Sequence, residues 1–211
     1  MGIPRIGAGQ TVLFQGDSIT DAGRSRDNPA ELGRGYANVV AAWFGMLHPE
    51  LQVRFLNRGI SGNRAVDLRA RWQADCLDLK PDWVSILIGI NDTWRRYDRN
   101  DPTAAADYAS AYREILERTR DAARARLILL EPFVLPHPAD RQAWREDLDP
   151  KIAAGRDLAR EFGAIYIPLD GLFAAATTRR EPAFWAADGV HPSQAGHAFI
   201  AHAWLQAVEA L

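Results

Sequence analysis

The residues best suited to chemistry are a serine near the N-terminus and an aspartate–histidine pair near the C-terminus. Ser18 stands in "LFQGDSITDAG", just past a short apolar run, and Ile19-Thr20-Asp21 after it can open a short helix. The free N–H groups and positive end of such a helix favour negative charge on a nearby oxygen. Turn or cap duty is the plainer reading of the same serine. In "AADGVHPSQAGH", Asp188 and His191 flank Gly189, and Pro192 is placed to start a final helix. A tight turn there brings the carboxylate onto one imidazole nitrogen, which makes the imidazole the base that a serine hydroxyl needs. The alternative is a surface loop whose Asp and His are solvated.

A serine that attacks an ester also needs donors for the developing oxyanion. Gly62 in "GISGN" offers a backbone N–H that a substrate oxygen can approach closely, and Asn91 in "GIND" offers a side-chain amide. The Ser18 N–H is a third donor. Gly62 could equally serve a positive φ, and Asn91 a turn. Ser61 is a rival nucleophile, but Asn63 stands where the G-x-S-x-G elbow requires glycine. Asp17 and Asp92 suit loop-holding bonds to backbone N–H groups; Asp17, beside Ser18, is also a candidate substrate contact. Trp94 and Trp185 flank the Asn91 and Asp188 segments. Their rings could stack on a sugar or wall an acyl pocket, or simply pack. Arg95, Arg96 and Tyr97 add polar capacity beside Trp94. His197 reads as a packing or surface histidine, and His48, His137 and His202 have no partner pattern. Trp43, Trp72, Trp83 and Trp204 fit core or interface positions.

These residues are far apart in sequence, so the elements between them must gather them. Short, mostly apolar runs over Thr11–Gln15, Val53–Leu56, Trp83–Ile88, Leu127–Leu130 and Ala164–Ile167 predict strands covered on both faces. Helices are predicted over Tyr36–Leu47, Ala65–Leu77, Ala104–Ala123, Pro150–Phe162 and Pro192–Ala210. Such βα units in series imply a single domain, residues 1–211, built as a three-layer α/β/α sandwich on a five-stranded parallel sheet. Ligands of such sheets sit beyond the C-terminal strand ends. The segments that follow the strands, "GDSITDAG", "NRGISGNR", "GINDTWRRYD", "EPFVLPHPAD" and the long stretch ending in "DGVHPSQAGH", are therefore read as the loops that build the site.

Composition narrows the function classes. In 211 residues, 25 Lys and Arg nearly balance 27 Asp and Glu, which argues against a nucleic-acid or anionic-membrane surface. One cysteine, Cys76, excludes an internal disulfide and cysteine-clustered metal sites. The N-terminal "MGIPRIGAGQTVLF" lacks a long apolar h-region, and no run approaches the roughly 20 residues of a membrane span. The expectation is a cytoplasmic protein without cofactor or metal. No zinc-protease or nucleotide-loop motif is present. Trp- and Ala-rich helix faces and "RREPAFW" leave a homo-oligomer open.

Taken in order, "GDSIT", "NRGISGN", "GIND" and "DGVHP" resemble the SGNH hydrolases, the GDSL-type esterases and lipases, across nearly the whole chain. The resemblance implies a flavodoxin-like fold with Ser18 as nucleophile, His191 as base and Asp188 as its orienting acid. It implies Gly62 and Asn91, with Ser18, as the oxyanion hole. Each block carries its key residue. "GISGN…DLRARW", "KPDWVSI" and "GINDTWRRYD" are similar to intracellular carbohydrate esterases of the acetylxylan esterase type, which implies O-acetyl groups on sugars as substrate. A lysophospholipase, thioesterase or arylesterase on the same scaffold is the same-class alternative. A non-catalytic sugar-binding module is the alternative from another class.

Overall fold

The apolar runs become five parallel strands in the computed structural model, which describes residues 4–211. They are β1 (Thr11–Gly16), β2 (Arg54–Asn57), β3 (Trp83–Leu87), β4 (Arg126–Leu130) and β5 (Ile165–Ile167), in the order β2-β1-β3-β4-β5. Successive side chains point to opposite faces of a strand. Val12, Phe14, Ile128 and Leu130 accordingly enter one buried cluster, and Leu13, Val84, Leu127 and Leu129 the other. Fully burying one such side chain contributes about 1.5–3 kcal/mol, so both faces must be covered.

The covering helices follow from that demand. Helices α2 (Tyr36–Leu47) and α9 (Gln194–Ala207) pack on each other over the first cluster. Helices α3 (Ala65–Asp75), α5 (Ala105–Arg118) and the C-terminal half of α6 (Arg145–Phe162) cover the second. The one polar side chain that β3 turns toward α9, Ser85, is satisfied there, because its Oγ accepts the indole N–H of Trp204 at 3.0 Å. Trp72, Trp83 and Trp204 are buried, whereas Trp43 on α2 is 48 % exposed and lies outside the core.

Four segments differ from the sequence expectation. "GINDTWRRYD" is not a loop but helix α4 (Ile90–Arg99). Its buried residues, Ile90 to Thr93, are consecutive in the first turn, so no helical period announces it. Helix α6 starts at Arg145, with Pro150 inside it. Burial of Leu148, Lys151 and Ile152 on one face overrides the loss of one backbone bond. The long stretch after β5 holds two helices, α7 (Leu169–Thr177) and α8 (Pro182–Trp185). Helix α9 begins at Gln194 rather than at Pro192, because Ser193 caps it by accepting the Gly196 N–H at 3.1 Å.

In this strand order the chain leaves β1 toward β2 and then crosses to β3 on the other side. The switch point, where ligands of open α/β sheets bind, therefore lies beyond the C-terminal ends of β1 and β3. Gly16 pairs with Leu87 at that edge. Ser18 follows two residues after the end of β1, and Asn91 four residues after the end of β3.

Candidate active site

The loops at the switch point are tied into one unit. Gly16 ends β1, and its carbonyl accepts the N–H of Ile60 in the post-β2 loop at 3.0 Å. Asp17 then caps the four-residue helix α1 (Ser18–Asp21), its Oδ1 accepting the Ile19 N–H at 3.0 Å; a cap of this kind contributes about 1 kcal/mol. At the other end of α1, Asp21 accepts both the N–H and the hydroxyl of Ser61, at 3.0 and 2.9 Å. The post-β2 loop is in turn bonded to α4. Asn91 donates from its amide to the Asn63 carbonyl at 3.1 Å, and Asp92 accepts the Ala65 N–H at 3.2 Å.

Across this unit the structure brings together the serine, histidine and aspartate singled out by their types. Ser18 Oγ lies 2.9 Å from His191 Nε2, and His191 Nδ1 lies 2.6 Å from Asp188 Oδ2. An ionised carboxylate only accepts, so Nδ1 carries the ring proton and Nε2 is left to accept from the serine hydroxyl. Asp188 is fixed as well, its Oδ1 accepting the backbone N–H of Val190 at 3.0 Å and of His191 at 2.7 Å. Partial burial pushes the Asp188 carboxyl up, but the hydrogen bonds from the His191 ring and from those two N–H groups outweigh it and hold it well below the usual range. The bond to Asp188 raises His191 above the ordinary histidine value against the opposing effect of burial, and the charge of Asp17 adds to it. The ring is 45 % exposed, so the arrangement opens directly to solvent.

The expected oxyanion donors lie in segments bonded to one another and to α1, through Ser61 on Asp21 and Asn91 on Asn63. Gly62 has φ +85, with nothing within 4 Å of where a Cβ would sit, so its glycine serves the left-handed turn rather than a close approach. Among the described residues, neither the Ser18 nor the Gly62 N–H has an acceptor. The Asn91 amide is held at both ends, Arg95 donating to its oxygen at 3.0 Å and its nitrogen giving one hydrogen to Asn63, which leaves a second N–H to donate.

Other candidates fall differently. Asp17 is corrected as a substrate contact, since it is fully buried and Oδ2 has no partner among the described residues. Burial pushes its pKa up to about 7. Asp92 is likewise buried and pushed up to about 7 by burial. Trp94 does border the site, its ring centre 5.6 Å from that of His191. Arg95, expected at the substrate, is bonded instead to Asn91 and Asp98. Tyr97 turns away from the expected contact, stacking on Trp144 at 5.2 Å and donating its hydroxyl to the Ala143 carbonyl. Trp185 packs among Phe173, Phe184 and Phe199, with its indole N–H on the Arg180 carbonyl. The hydroxyl of Ser61 is committed to Asp21, which removes it as a rival. His197, on α9, accepts the Tyr36 N–H with Nδ1 at 3.2 Å, and burial pushes it down to about 4. One contributor, Arg141, had no signal in the sequence: its Nε donates to the Asp188 carbonyl at 3.1 Å. Among the described residues no group of His, Cys, Asp or Glu could hold a metal ion, and no helix is long and apolar enough to cross a membrane.

Comparison with known proteins finds relatives over nearly the whole chain. Residues 14–199 match the GDSL-like lipase/acylhydrolase family. An acetylxylan esterase of Geobacillus stearothermophilus is 36 % identical over 97 % of this chain and 96 % of its own. A crystal structure of an acetylxylan esterase from the same organism superimposes with a TM-score of 0.87 at 36 % identity, over 97 % of this chain and 96 % of that one. That enzyme has also been solved as catalytic mutants in which a serine or a histidine is replaced by alanine. A protein of Parabacteroides merdae described as a GDSL-like lipase superimposes with a TM-score of 0.94 at 34 % identity, over 98 % of both chains.

Proposed function

The chain belongs to the GDSL-like lipase/acylhydrolase family and is an ester hydrolase, and we propose that it removes acetyl groups from sugars, xylo-oligosaccharides in particular, through an acyl-enzyme on Ser18. The observation that carries this reading is the unbroken chain of contacts from Ser18 Oγ through His191 to Asp188, at 2.9 and 2.6 Å. In the first half-reaction His191 takes the Ser18 proton as Oγ attacks the ester carbonyl. The oxyanion is held by the N–H groups of Ser18 and Gly62 and by the Asn91 amide. His191 then protonates the leaving alcohol. Water attacks the acyl-enzyme by the same route, with His191 as base, and frees the acid. Asp188 keeps the imidazole in the tautomer that both halves need and stabilises the imidazolium between them.

Within this mechanism Asn91 stabilises a charge that exists only in the transition state. Replacing it with alanine is expected to lower kcat by about 10²–10³ with a much smaller change in KM. Steady-state kinetics on 4-nitrophenyl acetate measures this; a variant within threefold of the parent kcat would remove Asn91 from the oxyanion hole.

Two features support a small acyl group on a water-soluble alcohol. His191 faces solvent, and an exposed site gives a long acyl chain little apolar surface to bury. Trp94, half-buried beside His191, offers an aromatic plane to a sugar ring. The relative named as an acetylxylan esterase supports the same substrate class. Acetylated xylo-oligosaccharides are expected to give a higher kcat/KM than long-chain 4-nitrophenyl esters. A clear preference for the long chains would reject the sugar ester and favour a lipase-like or lysophospholipase reading on the same scaffold.

A further inference from the structure

The connection between β4 and α6 packs on the turn that carries Asp188. Leu135 donates its N–H to the Gly189 carbonyl at 2.8 Å, and Arg141 donates from Nε to the Asp188 carbonyl at 3.1 Å. The approach is close: Gly189 has φ +81, and a Cβ there would fall 2.2 Å from the His137 carbonyl oxygen. The Arg141 side chain is only 14 % exposed. Its guanidinium carbon lies 4.2 Å from the ring centre of Trp144 and 5.4 Å from that of Trp94. One planar cation thus touches the turn that holds the acid and also the aromatic wall beside His191. Arg141 also lines a cavity of about 250 Å³ with Leu135, Gln142, Arg145 and Asp170.

We propose that Arg141 is a positioning residue that locks the Asp188 turn and the Trp94 wall into one geometry, an inference that rests on the Ser18–His191–Asp188 reading above. Its planarity is what the place requires. A lysine ammonium can donate to the Asp188 carbonyl but cannot lie flat on Trp144 while doing so. The bond runs to a backbone carbonyl, so Arg141 acts through Asp188.

The test compares Arg141→Met, Arg141→Ala and Arg141→Lys on 4-nitrophenyl acetate. Small misplacements of catalytic groups cost about 10²-fold in rate. The Met and Ala variants are therefore expected to lose about 10–100-fold in kcat with KM within about threefold, and Lys to recover part of the loss. The acid limb of kcat/KM supplies a sign that packing loss cannot mimic. Three titratable groups bear on the His191 ring: Asp188 in its own turn, Asp17 at the start of α1 and His197 on α9. The cations nearby, Arg95 and Arg141, lie over the ring of the neighbouring Trp94. Deleting a nearby cation and nothing else would move the limb to higher pH. Loosening Asp188 moves it to lower pH, and that is the expected direction.

The cavity beside Arg141 also allows chemical rescue. Guanidinium at millimolar concentration, far below denaturing levels, is expected to restore at least tenfold of the lost kcat in Arg141→Ala, whereas urea, uncharged and of similar shape, is not. A variant with the parent kcat and pH limb overturns the proposal. So does one whose activity falls only as its melting temperature falls, with the limb unmoved and no rescue. If the parent protein itself fails to acylate at Ser18, the underlying hydrolase reading has failed rather than this one.

Discussion

Alanine at Ser18 is expected to abolish acylation. Among the described residues, Ser18 Oγ is the only hydroxyl in contact with His191, at 2.9 Å, and the neighbouring Ser61 hydroxyl is already spent on Asp21. No second nucleophile stands ready to substitute. In serine hydrolases that work as a hydrogen-bonded unit, removing the nucleophile costs about 10⁶ in kcat and leaves only the weak catalysis of the oxyanion donors and binding. The parent protein should be labelled stoichiometrically by a serine-directed fluorophosphonate, the Ser18→Ala protein not at all, and the Ser61→Ala protein still. Folding should scarcely notice the change at Ser18. The hydroxyl is only partly buried, and losing it leaves no buried group unpaired, so stability should stay within about 0.5 kcal/mol. Inactivity therefore cannot be blamed on unfolding, and a melting curve run beside the labelling separates the two. The same experiment decides against a sugar-binding module, which has no activated serine to label. Full activity in Ser18→Ala would end the proposed mechanism.

What could be read from the sequence depended on how local the cause was. The strands were legible because burial on both faces writes a nearly unbroken apolar run, as in Leu127 to Leu130. Ser18, Asp188 and His191 were legible because their residue types, turn residues and places after strands are each local facts. Helix α4 was not. Its first turn is buried at every position from Ile90 to Thr93 because the chain enters the helix directly from the sheet, and burial by depth leaves no period to find. Asp17 shows the same limit from the other side. Standing next to Ser18 suggested a substrate contact, yet its side chain points into the protein and caps α1. Only depth distinguishes the two, and depth is a property of the assembled fold. Arg141 is further out of reach. It meets Asp188 across a sequence separation of 47 residues, in a contact set by how the β4–α6 connection packs against the post-β5 segment. Nothing in "PHPADRQAW" announces that contact.

Asparagine at Asp188 is expected to leave the turn standing and still remove about 10⁴ from kcat. The turn survives because Oδ1 is the atom that accepts the Val190 and His191 N–H groups, and an asparagine oxygen can accept both. The nitrogen is then left facing His191 Nδ1, where Asp188 Oδ2 accepts at 2.6 Å. An amide nitrogen donates, so it forces the imidazole into the other tautomer, with its proton on Nε2. That nitrogen then points a hydrogen at Ser18 Oγ and cannot take one from it. In other serine hydrolases this tautomer error costs about 10⁴ while the geometry holds. The pH profile carries an independent mark. Asp188 is the main cause of the raised His191 pKa, so the acid limb of the parent kcat/KM should lie above the ordinary histidine value of about 6.5. Without the carboxylate charge the limb should move to lower pH even as the plateau drops. Stability follows the same sign. A raised histidine pKa stabilises the fold at pH below the unfolded value, and that contribution disappears as pH rises through the folded value. The asparagine variant should lack this pH-dependent part. Kinetics from pH 5 to 9 with parallel urea titrations would read both effects. A kcat within tenfold of the parent, or a limb that stays in place, would mean that Asp188 does not orient the base.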